Sequence, residues 1–176
     1  MTGLAAQFIG DDIILYDSQF YPDPATIRRH DIGDWQYDAG TCPASPHAGV
    51  VVRIILSDPA AQAAVLHLQN STADISTTDL TLSRGMVIAH DLHRRYCYSG
   101  IQPGGPPFEY VIRYFPATSK YIRQQHSDFH KRMNVLYPLQ NFSARPLWLV
   151  RGEDRADNDF VTGFMSRPGQ WVVTDS

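Results

Sequence analysis

The chain alternates between short apolar runs and polar breaks rich in proline and glycine. Residues 50–56, "VVVRIIL", are a β-branched run of strand length and predict a strand in the middle of a sheet. Residues 6–18 predict one or two strands, and residues 79–91 predict another with a bend at Gly85. The pattern therefore predicts a strand-rich chain.

Later apolar segments add to the predicted strands. Residues 95–99 and 108–115 predict a strand pair, joined by a loop of glycines and prolines. Three more strands are predicted toward the C-terminus, in "ARPLWLVR", "DFVTGFMS" and "QWVVTD". Because consecutive strands with short connections favour antiparallel pairing, we expect a mostly antiparallel sheet.

Two segments predict helices. Residues 57–70 have a proline near their start and are rich in alanine, the residue with the highest helix propensity. Residues 118–137 form the second predicted helix, which a following proline helps to end. The predicted fold class is therefore α+β, with a mostly antiparallel, strongly curved sheet or partial barrel packed against two main helices. Residues 1–176 are predicted to form one globular domain.

The composition is that of an ordinary globular domain. The 176 residues carry 43% hydrophobic and 19% charged side chains, and the formal net charge is −3. The sequence contains no apolar run long enough to span a bilayer, and its N-terminus lacks the pattern of a secretory signal. We therefore expect a soluble, cytoplasmic protein with no membrane partner, in which Cys42 and Cys97 are free thiols.

Positive charge is concentrated in residues 84–132. This segment holds eight Lys or Arg against three Asp or Glu, together with four of the seven histidines and many aromatic residues. Cationic side chains between aromatic ones can bind phosphates and stack bases, but they can equally be the solvated edges of strands that bury their aromatics. Because the whole chain is acidic, nucleic acid is a partner that we keep open without favouring it.

Residues 121–132, "YIRQQHSDFHKR", supply the main candidates for catalysis. At about 100° per residue, His126 lies in the apolar stripe of the predicted helix and His130 lies at its border. Two histidines four residues apart can exchange protons or bind one metal, and His90, at the end of a predicted strand, is the natural third member. The alternative is a core-edge histidine that is hydrogen-bonded to the main chain. Whether a metal or another cofactor binds is left unknown.

Four residues near these histidines predict a binding site for a small anionic or aromatic molecule: Arg113, Tyr110, Tyr98 and Arg123. Side chains alternate along residues 108–115, so Tyr110 faces the main core while Glu109 and Arg113 share the other face. There they either line a pocket or form an ordinary cross-strand pair.

Three functions follow from these features. The first is a small enzyme that uses histidine acid–base chemistry, with or without a metal, in an internal pocket. The second is a non-enzymatic interaction or assembly protein, such as a viral, phage or secretion-system component. The third is a nucleic-acid-binding module that uses residues 84–132. A homo-oligomer is compatible with each of them.

Overall fold

The computed structural model describes residues 1–21, 35–58, 64–70, 74–100, 109–124, 127–136 and 141–160. Within these ranges the chain forms ten strands, two α-helices and two short 3-10 helices, the latter at Asp38–Thr41 and Phe142–Ala144. In chain order the helices and strands are α1 (Thr2–Ile9), β1 (Ile13–Tyr21), β2 (Ala44–Ser45), β3 (Val50–Ile55), β4 (Val65–Gln69), β5 (Thr77–Thr81), β6 (Val87–Asp91), β7 (Tyr96–Ser99), β8 (Glu109–Pro116), β9 (Lys120–Tyr121), α2 (Asp128–Leu136) and β10 (Trp148–Arg151).

The described strands form three sheets, and every strand pair is antiparallel. The largest sheet has the order β10-β1-β8-β3-β6, a second has the order β5-β4-β7, and β2 pairs with β9. The prediction of mostly antiparallel sheets with few helices is confirmed, but the described sheets do not close into a barrel. β3 lies between β8 and β6, the internal position that its β-branched run predicts. The single domain stays a prediction.

The two faces of the five-stranded sheet are covered by different elements. On the outer face, Ala5 of α1 packs in one cluster with Val52 of β3 and Ile112 of β8. On the inner face, Ile88 of β6 packs with Leu66 of the three-stranded sheet. Residues of both sheets share this second cluster, so the two sheets face each other and enclose an interior between them.

A bulge in β1 decides which of its side chains point into this interior. Leu15 pairs with Tyr114 of β8, whereas Asp17 pairs with Arg113, so that Tyr16 is the extra residue between two successive β8 positions. Opposed residues in a strand pair share a face. The bulge therefore places Asp17 on the same inner face as Arg113, and Tyr16 is buried as well.

The prediction of two main helices against the sheet is wrong. α1, whose residues 6–9 overlap the predicted strand segment 6–18, contacts β1, β3, β6 and β8. α2 lies beside the 3-10 helix Phe142–Ala144. The predicted helix 118–137 is reduced to α2, because Lys120–Tyr121 forms β9 instead. Among the described ranges, no helix combines the length and the apolar character needed to cross a bilayer.

The predicted helix 57–70 is also wrong where the structure describes it. Residues 65–69 are strand β4, in which Leu66 and Leu68 are buried with the period of two that a strand requires. Propensity is a weak prior, and here the packing of these leucines between the sheets overrides the alanines that precede them.

Three further strand predictions change in detail. The segment 79–91 is two strands, β5 and β6, with Gly85 at φ +85° in the turn between them. The predicted pair 95–99 and 108–115 is divided between two sheets, since β7 pairs with β4 and β8 pairs with β1 and β3. β10 confirms the first of the three C-terminal strands, whereas residues 161–176, which contain most of the other two, lie outside the described residues.

Candidate functional site

Arg53 lies at the centre of a network of charged side chains between the two sheets. It points inward from β3, is 1% exposed, and donates from Nη2 to Asp38 Oδ2 at 2.9 Å. Its Nη1 donates to Glu109 Oε1 and to the Tyr98 hydroxyl, both at 3.0 Å, and its Nε donates to His90 Nε2 at 3.1 Å. The Tyr98 hydroxyl in turn donates to Glu109 Oε2 at 2.8 Å. One guanidinium therefore connects two carboxylates, an imidazole and a phenol.

Arg113 extends the network toward β1. Its Nε donates to Asp38 Oδ1 at 2.7 Å, and its Nη1 donates to Asp17 Oδ2 at 2.8 Å and to Gln19 Oε1 at 3.0 Å. Arg145 binds the other Asp17 oxygen at 2.7 Å. The network thus has as many guanidinium groups as carboxylates: Arg53, Arg113 and Arg145 against Asp17, Asp38 and Glu109. It therefore carries no excess of either charge.

The surroundings shift the pKa values of two members in ways that fix their charge. Burial opposes ionisation of Asp38, but Arg113 and Arg53 outweigh it and hold the pKa of this carboxyl at about 2. Burial lowers the pKa of His90 to about 4, and the Arg53 charge acts in the same direction. At neutral pH His90 is therefore neutral. Its Nδ1 donates to Asp91 O at 2.9 Å while its Nε2 accepts from Arg53.

The fold explains how these side chains meet. Alternation along β3, β6 and β8 turns Arg53, His90 and Glu109 to the inner face, since Arg53 opposes Ile88 and Ile55 opposes Glu109 in the ladders. Asp38 comes from the 3-10 helix Asp38–Thr41, which is anchored by a hydrogen bond of 2.9 Å from Ala39 N to Leu92 O.

Three of the predicted site residues belong to the network: His90, Tyr98 and Arg113. Tyr110 does not, because it lies on the outer face of β8 with the cluster that packs around α1. Its position follows the predicted alternation of β8, in which Glu109 and Arg113 point the other way.

The other predicted site residues form hydrogen bonds to the main chain elsewhere. His130 is 2% exposed, and its Nε2 donates to Ile122 O at 2.9 Å, which is the core-edge alternative described above. Arg123 donates to the carbonyl oxygen of Ser143 at 2.8 Å. His126 lies outside the described residues. The structure therefore does not bring His130 and His90 into one hydrogen-bonded group, and their catalytic use stays a prediction.

Sequence reasoning missed Arg53, Asp38 and Asp17. Arg53 did carry a signal, because an arginine within the β-branched run "VVVRIIL" must be paired if that strand is internal. Asp38 follows a segment in which apolar residues show no helical or strand periodicity. Asp17 points into the interior only because of the bulge in β1. For these two aspartates the sequence offered no signal.

The basic segment 84–132 does not present all of its charge to solvent. Arg113 is buried and paired, and Arg123 binds main-chain oxygens. The number of cations available to a phosphate backbone is therefore smaller than the sequence indicates.

Comparison with known proteins shows a likeness of fold. No protein-family model matches the chain, and no curated protein matches it. Among solved structures, ThoJ, a non-heme monooxygenase, is 15% identical with a TM-score of 0.57 over 93% of this chain and 60% of that chain. CytC3, solved with Fe(II) and alpha-ketoglutarate, is 15% identical with a TM-score of 0.58 over 90% of this chain and 63% of that one.

The epimerase SnoN, solved with Fe3+, alpha ketoglutarate and nogalamycin RO, is 13% identical with a TM-score of 0.51, over 73% of this chain and 59% of that one. The chain thus spans about 60% of the length of these neighbours. The structural neighbours are non-heme enzymes, and at such low identity the likeness shows that the chain shares their fold.

Proposed function

We propose that the protein binds a small aromatic molecule between its two sheets and exchanges protons with it through His90 and Tyr98, whose hydrogen bonds to Arg53 and Glu109 the ligand would replace. One observation carries the proposal: a neutral imidazole, a phenol and a carboxylate all meet Arg53 in an interior where an ordinary core would be apolar. Buried polar and charged groups cost stability unless they are paired or used, and perturbed pKa values cluster at functional sites. Two neighbours of the same fold are enzymes, a non-heme monooxygenase and an epimerase, which supports a catalytic role without indicating its chemistry.

The balance of charge favours an aromatic ligand over a simple anion. Because the three carboxylates of the network neutralise its three guanidinium groups, no cation is left in it to attract an isolated anion. Aromatic surface is present instead: the Arg53 guanidinium lies 4.0 Å from the Tyr96 ring centroid, and the Tyr96 and Tyr98 rings pack edge to face at 5.9 Å. A ligand with an aromatic ring, charged or neutral, would pack against this aromatic surface.

The residues of the network do not fit the iron with which SnoN and CytC3 were solved. Non-haem iron oxygenases hold Fe(II) with two histidines and one carboxylate and leave positions open. Here one histidine is present, and His90 Nε2, Asp38 and Glu109 are all occupied by Arg53. Within the described ranges, no group of three metal-ligating side chains is arranged to hold an ion. The proposed chemistry therefore takes no step through a metal in this network.

Thermal denaturation with three probes tests the binding step. Benzoate, benzyl alcohol and acetate at equal concentration separate ring from charge, and we expect the two aromatic probes to raise Tm while acetate does not. Tyr96→Leu removes part of the aromatic surface and should abolish the rise. Tyr110→Phe is the matched control, because Tyr110 lies on the outer face, and it should respond as the wild type does.

Two results would contradict the proposal. The first is the absence of a Tm rise with either aromatic probe, and the second is a Tyr96→Leu variant that responds like wild type. For a ligand that is turned over, His90→Gln should lower kcat and leave KM nearly unchanged, because glutamine can accept the Arg53 hydrogen bond but cannot exchange the proton.

A second candidate, an assembly protein without catalysis, is favoured by the edge strand β10. Its residues are exposed on both faces, including Trp148, Leu149 and Val150, and among the described residues it is the last strand of its sheet. An exposed apolar edge strand is a site for pairing with another chain. Light scattering after size exclusion should then show an oligomer that Leu149→Lys dissociates, whereas a monomeric wild type would remove this candidate.

A further inference from the structure

We propose that Ser99, His67 and Asp79 form a catalytic triad on the three-stranded sheet and that Ser99 is a nucleophile toward carboxylic esters. The triad lies apart from the charged network between the sheets. β4 and β7 direct Leu66 and Tyr98 to the interior, and the residues that alternate with these two point to the opposite face. The inference therefore goes beyond the proposed interior site, and either can fail without the other.

His67 connects a carboxylate and a hydroxyl through its two ring nitrogens. Its Nδ1 lies 2.7 Å from Asp79 Oδ1, and its Nε2 lies 2.8 Å from Ser99 Oγ. The strand register produces this arrangement, because His67 of the central strand β4 opposes Asp79 of β5, and Val65, two residues earlier, opposes Ser99 of β7. Opposed residues, and residues two apart in a strand, share a face, so all three side chains lie on the same one.

The carboxylate determines which nitrogen of the imidazole carries the proton. The hydrogen bond from His67 lowers the pKa of Asp79, so this carboxyl group is ionised at neutral pH and can only accept. In the neutral imidazole the proton is therefore on Nδ1, and Nε2 accepts a hydrogen bond from the Ser99 hydroxyl. A serine that donates to an imidazole, which a carboxylate orients in turn, is the arrangement of an activated nucleophile.

Solvent access also favours Ser99 as the nucleophile. The side chains of His67 and Asp79 are 25% and 57% exposed, and Ser99 is half-buried, so a small substrate can approach from solvent. Cys97 opposes His67 on the same face, but it is 7% exposed, and burial together with the Asp79 charge raises the pKa of its thiol. Because a thiol attacks as the thiolate, Cys97 is the poorer nucleophile of the two.

The expected reaction is the two-step hydrolysis of an ester. Ser99 Oγ attacks the carbonyl carbon while His67 Nε2 takes the hydroxyl proton. The bond to the alcohol oxygen then breaks, and His67 returns the proton to the leaving alcohol. Water next attacks the acyl group on Ser99, which releases the carboxylic acid and restores the hydroxyl. Asp79 takes no proton in either step and positions the imidazole. Esters are expected rather than amides, because an alcohol leaves more readily than an amine.

Covalent labelling with an alkyl fluorophosphonate tests the nucleophile. The probe should phosphonylate Ser99 with release of fluoride, and mass spectrometry should find the label in the tryptic peptide 96–113, which contains no other serine. His67→Gln should slow this labelling at least about tenfold, because it removes the base. Ser18→Ala is the matched control: Ser18 is an exposed serine of β1 that opposes Ile112, and its loss should leave the labelling rate unchanged.

Hydrolysis of p-nitrophenyl acetate tests the positioning role of Asp79. Asp79→Asn should lower kcat at nearly unchanged KM, because the amide can donate to Nδ1 and so favours the tautomer in which Nε2 cannot take the Ser99 proton. Asp79→Glu keeps an accepting carboxylate and should recover part of the loss. Both substitutions are at an exposed position, so they also test the triad if His67→Gln does not fold.

Four results would overturn the inference. They are a wild-type protein in which Ser99 takes up no label, equal labelling rates in wild type and a folded His67→Gln, ester hydrolysis that Ser99→Ala leaves unchanged, and an Asp79→Asn variant with the kcat of the wild type.

Discussion

Mild acid should destabilise the fold through one imidazole, that of His90. Burial and the nearby Arg53 charge lower its pKa from 6.5 to about 4, so the unfolded chain takes up this proton before the folded chain does. Because the unfolded state then binds more protons than the native state, the free energy of unfolding falls as pH decreases from about 6.5 to about 4. Above this window the imidazole is neutral in both states and adds no pH dependence.

The size of the effect follows from the shift. At about 1.4 kcal/mol per pKa unit, His90 should account for a loss of about 3 kcal/mol by pH 4, of which about 2 kcal/mol is already lost at pH 5. Asp38 acts at lower pH: its pKa falls from 3.8 to about 2 on folding, so the stability it contributes is lost mainly below pH 4. A comparison at pH 5 therefore separates the imidazole from this carboxylate.

Urea unfolding of the wild type and His90→Gln, followed by tryptophan fluorescence at pH 7.5 and pH 5, measures this difference. Glutamine can accept the Arg53 hydrogen bond and does not titrate, so the variant should lose about 2 kcal/mol less than the wild type between the two pH values. Histidines that both proteins share cancel in the comparison. Equal losses in the two proteins would refute the assignment of a neutral, proton-resistant imidazole to His90.

Three further predictions concern other parts of the chain. Asp38→Asn leaves two buried guanidinium groups without their shared carboxylate and should cost about 3–5 kcal/mol in urea unfolding, whereas Asp79→Asn at an exposed site should leave the midpoint nearly unchanged. Gly49→Ala would place a Cβ 2.5 Å from a β8 carbonyl oxygen and should cost about 1–3 kcal/mol, while Gly3→Ala, in α1, meets nothing within 4 Å and should unfold at or slightly above the wild-type midpoint. Burial raises the pKa of the Cys42 thiol to about 12, so iodoacetamide at pH 8 should alkylate it, by mass spectrometry, only after unfolding in urea.

The strand content was predictable from the sequence, because strand residues repeat with a period of two. The positions of the helices were not predictable in this way. Val50–Ile55 is an internal strand as its apolar run predicts, and the inner and outer faces of β8 follow its alternation. The alanines before Val65 favour a helix locally, but Leu66 and Leu68 are buried with strand period, and tertiary packing decides.

The candidate site was predictable only where alternation alone determines direction. Arg113 is on the face that alternation along β8 predicts, and it reaches the interior, as does His90 at the end of β6. The centre of the network was missed because it depends on contacts between residues far apart in sequence, such as Arg53 with Asp38 and with Glu109. His130 on α2 donates to a carbonyl oxygen, and its catalytic use together with His90 stays a prediction.

The extra residue in β1 also determines how this chain must be compared with other proteins of its fold. The inward-facing residues of β1 change from even to odd numbers at Tyr16. Ile14 opposes an inward residue of β8 before it, and Asp17 and Gln19 oppose inward residues after it. A homologue that lacks the bulge would carry its inward residues with unbroken parity. An alignment without a one-residue gap at Tyr16 would then compare lining residues with surface residues. Deletion of the Tyr16 codon would leave the inward and outward residues of β1 unchanged, because the bulge holds the extra residue outside the alternation, so this point of the strand can gain or lose a residue without altering the interior.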